Sequence, residues 1–164
     1  MTTLPHLLTL TEPLRTLAAR RSFVLHVVSP TVVSLPGVQV RWTPWSSERE
    51  VTDLHAFDVG IMPLPDDRWA RGKCGAKLLQ YMGVGVPGVA SPVGVNTEIV
   101  QDGANGFLAA TPAEWIDKLA ALIDSPSLRA TIGMAGRRTV EERYSAHVHT
   151  PALLEIFARC REGR

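Results

Sequence analysis

The chain has 164 residues, of which 45% are hydrophobic and 20% charged. These are ordinary values for a soluble domain with room for a real core. A net charge of +1 gives no argument for nucleic acid or an anionic membrane surface, so any anion site has to be local. The length predicts one domain over residues 1–164.

Taken in order, Met1 to Arg21 reads as mostly helical, with Leu7, Leu10, Leu14 and Leu17 at helical spacing and Pro13 in the first turn of a helix from Thr11. Phe23 to Val28 is a buried strand, Ser29 to Gly37 a loop, and Val38 to Trp42 a second strand. Ser46 or Ser47 is expected to cap a helix running through Glu48, Glu50 and Leu54. Phe57 to Leu64 is a third strand that enters the proline-marked PLPDD loop, and a short helix follows at about Gly75 to Gly83. Val86 to Ser91 is a fourth strand, Gly94 to Gln101 a turn and short helix, DGANG a tight turn, and Gly106 to Ala109 a fifth strand. Thr111, Pro112 and Glu114 form a capping-box signature for a helix that stops before Ser125 and Pro126. Two more helices follow, Ser127 to Arg143 and about Ala146 to Cys160. Alternating strands and helices predict a Rossmann-like parallel α/β sheet with helices on both faces.

The stretch from Trp69 to Met82 has its charges in an unexpected place. Arg71, Lys73 and Lys77 crowd the start of the Gly75–Gly83 helix, where the dipole disfavours cations. The pattern fits an anion such as a phosphate held by free backbone N–H groups. The helix begins just past the third strand, and ligands of such sheets bind beyond the strands' carboxyl ends.

The run GKCGAKLLQYMGVGVPGVASPVGVNTEIVQDGANGFL resembles the nucleotide-sugar-binding half of GT-B glycosyltransferases of family 4 (group 1), from the FVLHVV strand to the ERYS segment. The resemblance implies the donor domain of a retaining hexosyltransferase-like enzyme with no cofactor. Its substrate would be a nucleoside-diphosphate sugar, a UDP- or GDP-sugar. It implies diphosphate contacts from the amides of about Cys74, Gly75, Ala76 and Lys77, with Lys73 beside them. It also implies nucleobase contacts near Trp42, Thr43, Pro44 and Trp45, for which packing aromatics are the other reading.

The family's Glu-x7-Glu motif, which holds the donor sugar and ribose, maps to Gly72 and Gln80. Gln80 retains neutral hydrogen bonding to a diol, whereas Gly72 has no side chain to contribute. Lys73 or Asp67 is a candidate substitute for it. The family's first strand and first-loop Arg/Lys pair have no counterpart here, and neither does its acceptor-binding half. The expectation is therefore a sheet completed by another chain, a separate N-terminal domain, a homo-oligomer, or a shortened product. The acceptor, a glycan or lipid, stays open, and so does a non-catalytic binding role or one in assembly.

Asp66, Asp67 and Glu98 are read as solvated or capping carboxylates, with no metal. The five histidines show no triad spacing, SPVGV is not a nucleophile elbow, and Cys74 has no histidine near it in sequence. Cys74 and Cys160 form no ligand pattern and suit a reducing, cytoplasmic setting. No apolar run is long enough for a bilayer span and no signal peptide is apparent, so contact with an inner membrane is expected only through partners.

Overall fold

The apolar runs form two parallel sheets in the computed structural model, which describes residues 4–162. The first pairs β1 (Leu25–Val28) with β2 (Val40–Thr43), from Leu25 opposite Val40 to Val28 opposite Thr43. The second has the order β3 (Gly60–Met62), β4 (Gly88–Ala90), β5 (Phe107–Leu108). The sequence predicts a parallel sheet whose first strand, placed in the middle by the family resemblance, is missing. The structure divides it between β1 and β3, because among the described residues no strand lies between those two edges. The gap lies where the resemblance implies an absent strand.

Nine helices are described. They are α1 (Leu4–Leu8), α2 (Thr11–Ala18), α3 (Glu50–His55), α4 (Arg68–Arg71), α5 (Ala76–Gly83), α6 (Asn96–Ile99), α7 (Pro112–Asp124), α8 (Pro126–Arg143) and α9 (Ala146–Glu162). Pro13 stands in the first turn of α2 as expected. The part of the N-terminal helical reading that falls on Met1, Thr2 and Thr3 lies outside the described residues. The expected serine cap of α3 is not made. Its N-cap is Arg49, with no side-chain cap bond, and the Ser46 carbonyl instead accepts the Arg49 N–H of a preceding turn at 3.2 Å. The single turn α4 escapes the sequence reading because it is too short to show periodicity.

Two apolar clusters hold the layers together. On one face of the strands, Leu25, Val27, Val59, Ile61 and Val89 pack with Leu14 and Leu17 of α2 and Trp115, Leu119 and Leu122 of α7. This cluster spans both sheets. On the other face, Met62, Ala90, Leu78, Met82 and Ile99 form the second cluster, which anchors α5 and α6. Burying one large aliphatic side chain contributes roughly 1.5–3 kcal/mol, so each cluster holds its helices firmly. The glycines inside α8 have a packing reason. A Cβ at Gly133 would lie 2.0 Å from the Gly85 carbonyl oxygen, so only a bare backbone lets α8 reach the turn after α5.

Candidate functional site

The site is built where the chain leaves the C-terminal end of β3. Asp67 caps α4, its Oδ1 accepting the Ala70 N–H at 2.7 Å. Arg71 donates to both oxygens of Asp66, at 2.6 and 3.0 Å. These bonds hold the Asp66 carboxyl below its usual range and raise the Arg71 guanidinium. Arg71, one of the three cations expected to serve an anion, is therefore already paired. Lys73 and Lys77 take part in no salt bridge among the described residues.

Gly75 makes the entry into α5. Its φ of 69° is left-handed, it provides no side-chain cap, and a Cβ there would stand 2.6 Å from Ile99 Cδ1. Gly94, also left-handed at 56°, matches it from the loop after β4, where a Cβ would meet the Arg71 carbonyl oxygen at 2.5 Å. Two loops are thus pressed backbone against backbone, which glycine alone permits. The first turn of α5 keeps its N–H groups free of any capping side chain.

Beneath that turn lies a polar support that sequence reasoning missed. The Leu64 N–H donates to Ser91 Oγ at 2.9 Å, and Asn96 Nδ2 donates to the Ser91 carbonyl at 3.0 Å. Asn96 is 1% exposed, and its Oδ1 has no partner among the described residues. That oxygen lies 3.4 Å from where a Gly75 Cβ would stand. The available signal was two polar residues in the otherwise apolar segment around SPVGVN.

A cavity of about 1400 Å³ opens at this point. Lys73, Cys74, Gly75, Ala76, Lys77 and Gln80 line one end together, and the facing edges of β1 and β3 line its length. Gln80 Nε2 donates to Glu50 Oε1 of α3 at 3.2 Å, which brings a carboxylate to the cavity wall that sequence spacing does not reveal. Trp42 and Pro44 do not line the cavity. The Trp42 indole N–H donates to the Ser29 carbonyl at 3.1 Å, Pro44 is exposed, and Arg41 and Trp45 line the wall instead. Glu98 is exposed in the first turn of α6, and both cysteines are free and exposed. Among the described residues no three His, Cys, Asp or Glu side chains gather as metal ligands.

Two ring groups line the wall between the sheets. His26 Nδ1 lies 3.1 Å from an Arg41 guanidinium nitrogen, which can only donate. Nε2 therefore carries the proton and donates to Thr43 Oγ1 at 2.8 Å. Burial first, and Arg41 second, lower the His26 pKa. The Tyr81 ring fills the space where a Gly60 side chain would stand, and burial pushes its phenol up to about 12.

The arrangement is a helix start with no side-chain cap and two ammonium side chains that are unpaired among the described residues, beyond the carboxyl ends of parallel strands. Such an arrangement is chemically suited to an anion. Comparison with solved structures finds the same fold. The C-terminal domain of the group 1 glycosyl transferase LpcC from Francisella tularensis is 23% identical, with a TM-score of 0.56 over 65% of this chain and 54% of that one. Anabaena HepE, solved in complex with UDP-glucose, is 20% identical, with a TM-score of 0.63 over 76% of this chain and 33% of that one. S. aureus TarM, in a complex that includes UDP, is 16% identical, with a TM-score of 0.66 over 94% and 32%. This chain thus spans between a third and just over half of the length of these structures. No curated protein matches it. The sequence profile of the family described as "Glycosyl transferases group 1" matches residues 7–125, and the chain belongs to that family, carrying the Rossmann-like half of its GT-B fold.

Proposed function

We propose that this chain binds the nucleoside-diphosphate sugar donor of a glycosyl transfer, a UDP- or GDP-sugar, with the diphosphate seated on the first turn of α5. The carrying observation is that Lys73 and Lys77 flank an uncapped helix start without any salt-bridge partner among the described residues. An anion bound there reconciles two cations with a helix dipole that otherwise repels them. Backbone N–H groups of Cys74 to Lys77 hold the phosphate oxygens. Gln80, with Glu50 behind it, offers its amide oxygen to the ribose diol. The nucleobase lies toward Trp45 and Arg41, a shift from the Trp42 and Pro44 expected from the sequence. HepE and TarM were solved with uridine nucleotides, which supports this reading of the related half-fold.

The catalytic work of such a site is to stabilise charge on the departing diphosphate, with retention of configuration as the family resemblance implies. The acceptor and its binding face come from a second domain or chain, and the site operates in the cytoplasm.

Isothermal titration of UDP and GDP tests the reading. Lys73→Ala and Lys77→Ala each weaken the preferred nucleotide roughly tenfold, the scale of a lost charge-assisted hydrogen bond, while the melting temperature stays within a few degrees. Equal affinity of wild type and both variants removes the assignment. A second reading, donor binding without transfer, is favoured by Gly72 standing where the resemblance implies a glutamate. Donor hydrolysis by the purified chain excludes it.

A further inference from the structure

Asn96 is 1% exposed, yet only one end of its amide is in use. Its Nδ2 donates to the Ser91 carbonyl at 3.0 Å. A carbonyl can only accept, so the nitrogen faces Ser91 and the oxygen is turned elsewhere. That oxygen, Oδ1, has no partner among the described residues and lies 3.4 Å from where a Gly75 Cβ would stand. Val95 Cγ1 at 3.3 Å and Ile99 Cδ1 at 2.6 Å bound the same position. The entry into α5 therefore rests on the start of α6, with one polar atom set in an otherwise apolar contact. A buried acceptor without a donor is costly, and buried amides are as a rule satisfied.

The backbone holds a donor at that contact. Around Asn96 the N–H groups are committed, its own to the Val93 carbonyl at 3.3 Å, that of Thr97 to Gly94 at 3.3 Å and that of Glu98 to Val95 at 2.9 Å. Ahead of α5, the Lys73 N–H is held by the Ala70 carbonyl at 3.1 Å. The Gly75 N–H has no such partner among the described residues, and it belongs to the residue that sits against Oδ1. A left-handed φ of 69° and the lack of a Cβ leave this residue free to turn without meeting Ile99.

We propose that Asn96 is a positioning residue of the anion site, its Oδ1 accepting the Gly75 N–H when a nucleoside diphosphate binds on the first turn of α5. This role rests on the donor reading above and goes beyond it, naming the residue that orients the turn. Of the Cys74 to Lys77 N–H groups, that of Gly75 then points inward and the others face the phosphate. The phosphate fixes the outer side of the turn and Asn96 its inner side. Each bond favours the other, because a turn already held on one side loses less freedom when the second side is ordered. The side chain has to donate to Ser91 and accept from Gly75 at once. A neutral amide does both, whereas a carboxyl group does so only when protonated. Asn96 does not touch the donor and acts through the backbone amides that do.

The test measures UDP and GDP affinity by isothermal titration for wild type, Asn96→Ala, Asn96→Asp and Thr111→Ala. The last loses the α7 cap and serves as a destabilised control remote from the site, with unchanged affinity expected. Asn96→Ala weakens the preferred nucleotide roughly tenfold, the scale of one lost hydrogen bond. Asn96→Asp is compared with wild type at each pH, so that the nucleotide's own titration cancels. Its affinity is close to wild type at about pH 5.5, where a buried carboxyl stays protonated, and falls roughly tenfold or more by about pH 8. In the wild-type complex, hydrogen exchange at the Gly75 amide slows roughly tenfold or more, and in Asn96→Ala it does not. Equal affinity of Asn96→Ala, a pH-independent ratio for Asn96→Asp, or an unprotected Gly75 amide in the wild-type complex overturns the proposal and leaves the donor reading standing. If Asn96→Ala does not fold, the wild-type exchange measurement decides. No binding of either nucleotide by the wild type removes the donor reading and the role of Asn96 with it.

Discussion

A methyl group at Gly75 meets two obstacles at once, a left-handed backbone and the Ile99 side chain 2.6 Å away. Gly75→Ala is therefore expected to cost roughly 1–3 kcal/mol in urea denaturation and to displace the first turn of α5. Its nucleotide affinity should fall further than that of Gly72→Ala, because a Cβ at Gly72 meets only an ordinary contact at 3.5 Å. His26 gives a pH signature. Its folded pKa is lowered by burial and by Arg41, so the unfolded chain takes the proton first. The neutral ring's contribution is complete above its ordinary pKa of about 6.5 and is lost as pH falls through and below that value. The melting temperature of the wild type should fall more between about pH 7.5 and pH 5.5 than that of His26→Gln. Equal slopes exclude His26 as the source. Lys73 and Lys77 were legible in the sequence because a cation at a helix start contradicts the dipole, a conflict visible in a few consecutive residues. Glu50, Ser91 and Asn96 were not, since Glu50 reaches Gln80 across thirty positions and the Ser91–Asn96 support is a tertiary arrangement. Trp42 was placed by its position after a strand, but its neighbour Trp45 turns toward the cavity while the Trp42 indole is tied to Ser29.

Elements whose ends are written locally were read well. The α7 capping box is present as predicted, with Thr111 Oγ1 accepting the Glu114 N–H at 3.3 Å and Glu114 Oε2 accepting from Ala110 and Thr111 at 2.6 and 3.2 Å. Thr111→Ala should cost about 1 kcal/mol by chemical denaturation. Those backbone N–H bonds lower the Glu114 pKa, so its share of stability is present above the ordinary carboxylate range and disappears as pH falls through the folded value. Gly133→Ala forces α8 away from the Gly85 carbonyl and should cost roughly 1–3 kcal/mol, with loss of the α5–α8 packing that supports the helix start. The start of α3 differs from the expected serine cap because a serine before acidic residues is also a turn signal, and here the turn prevails.

At the scale of the whole molecule, strand and helix alternation was enough for a parallel α/β fold, since buried strands and amphipathic helices leave strong periodic traces. The division into two sheets leaves no such trace and is implied only by the resemblance to a family whose first strand has no counterpart here. It concerns which strands are neighbours, and pairing partners are not encoded in a strand's own pattern. The same holds for the cavity, which collects residues from the first helices to α8. Fold and site converge on one claim, that the carboxyl ends of these strands present the start of α5 to a nucleoside diphosphate. Backbone amide shifts recorded by NMR during titration with UDP and with GDP test it most directly. Saturable shifts that are largest at Gly75, Ala76 and Lys77 are expected with one of the two nucleotides. Nucleotide binding that leaves these amides unmoved, or no binding of either nucleotide, would contradict it.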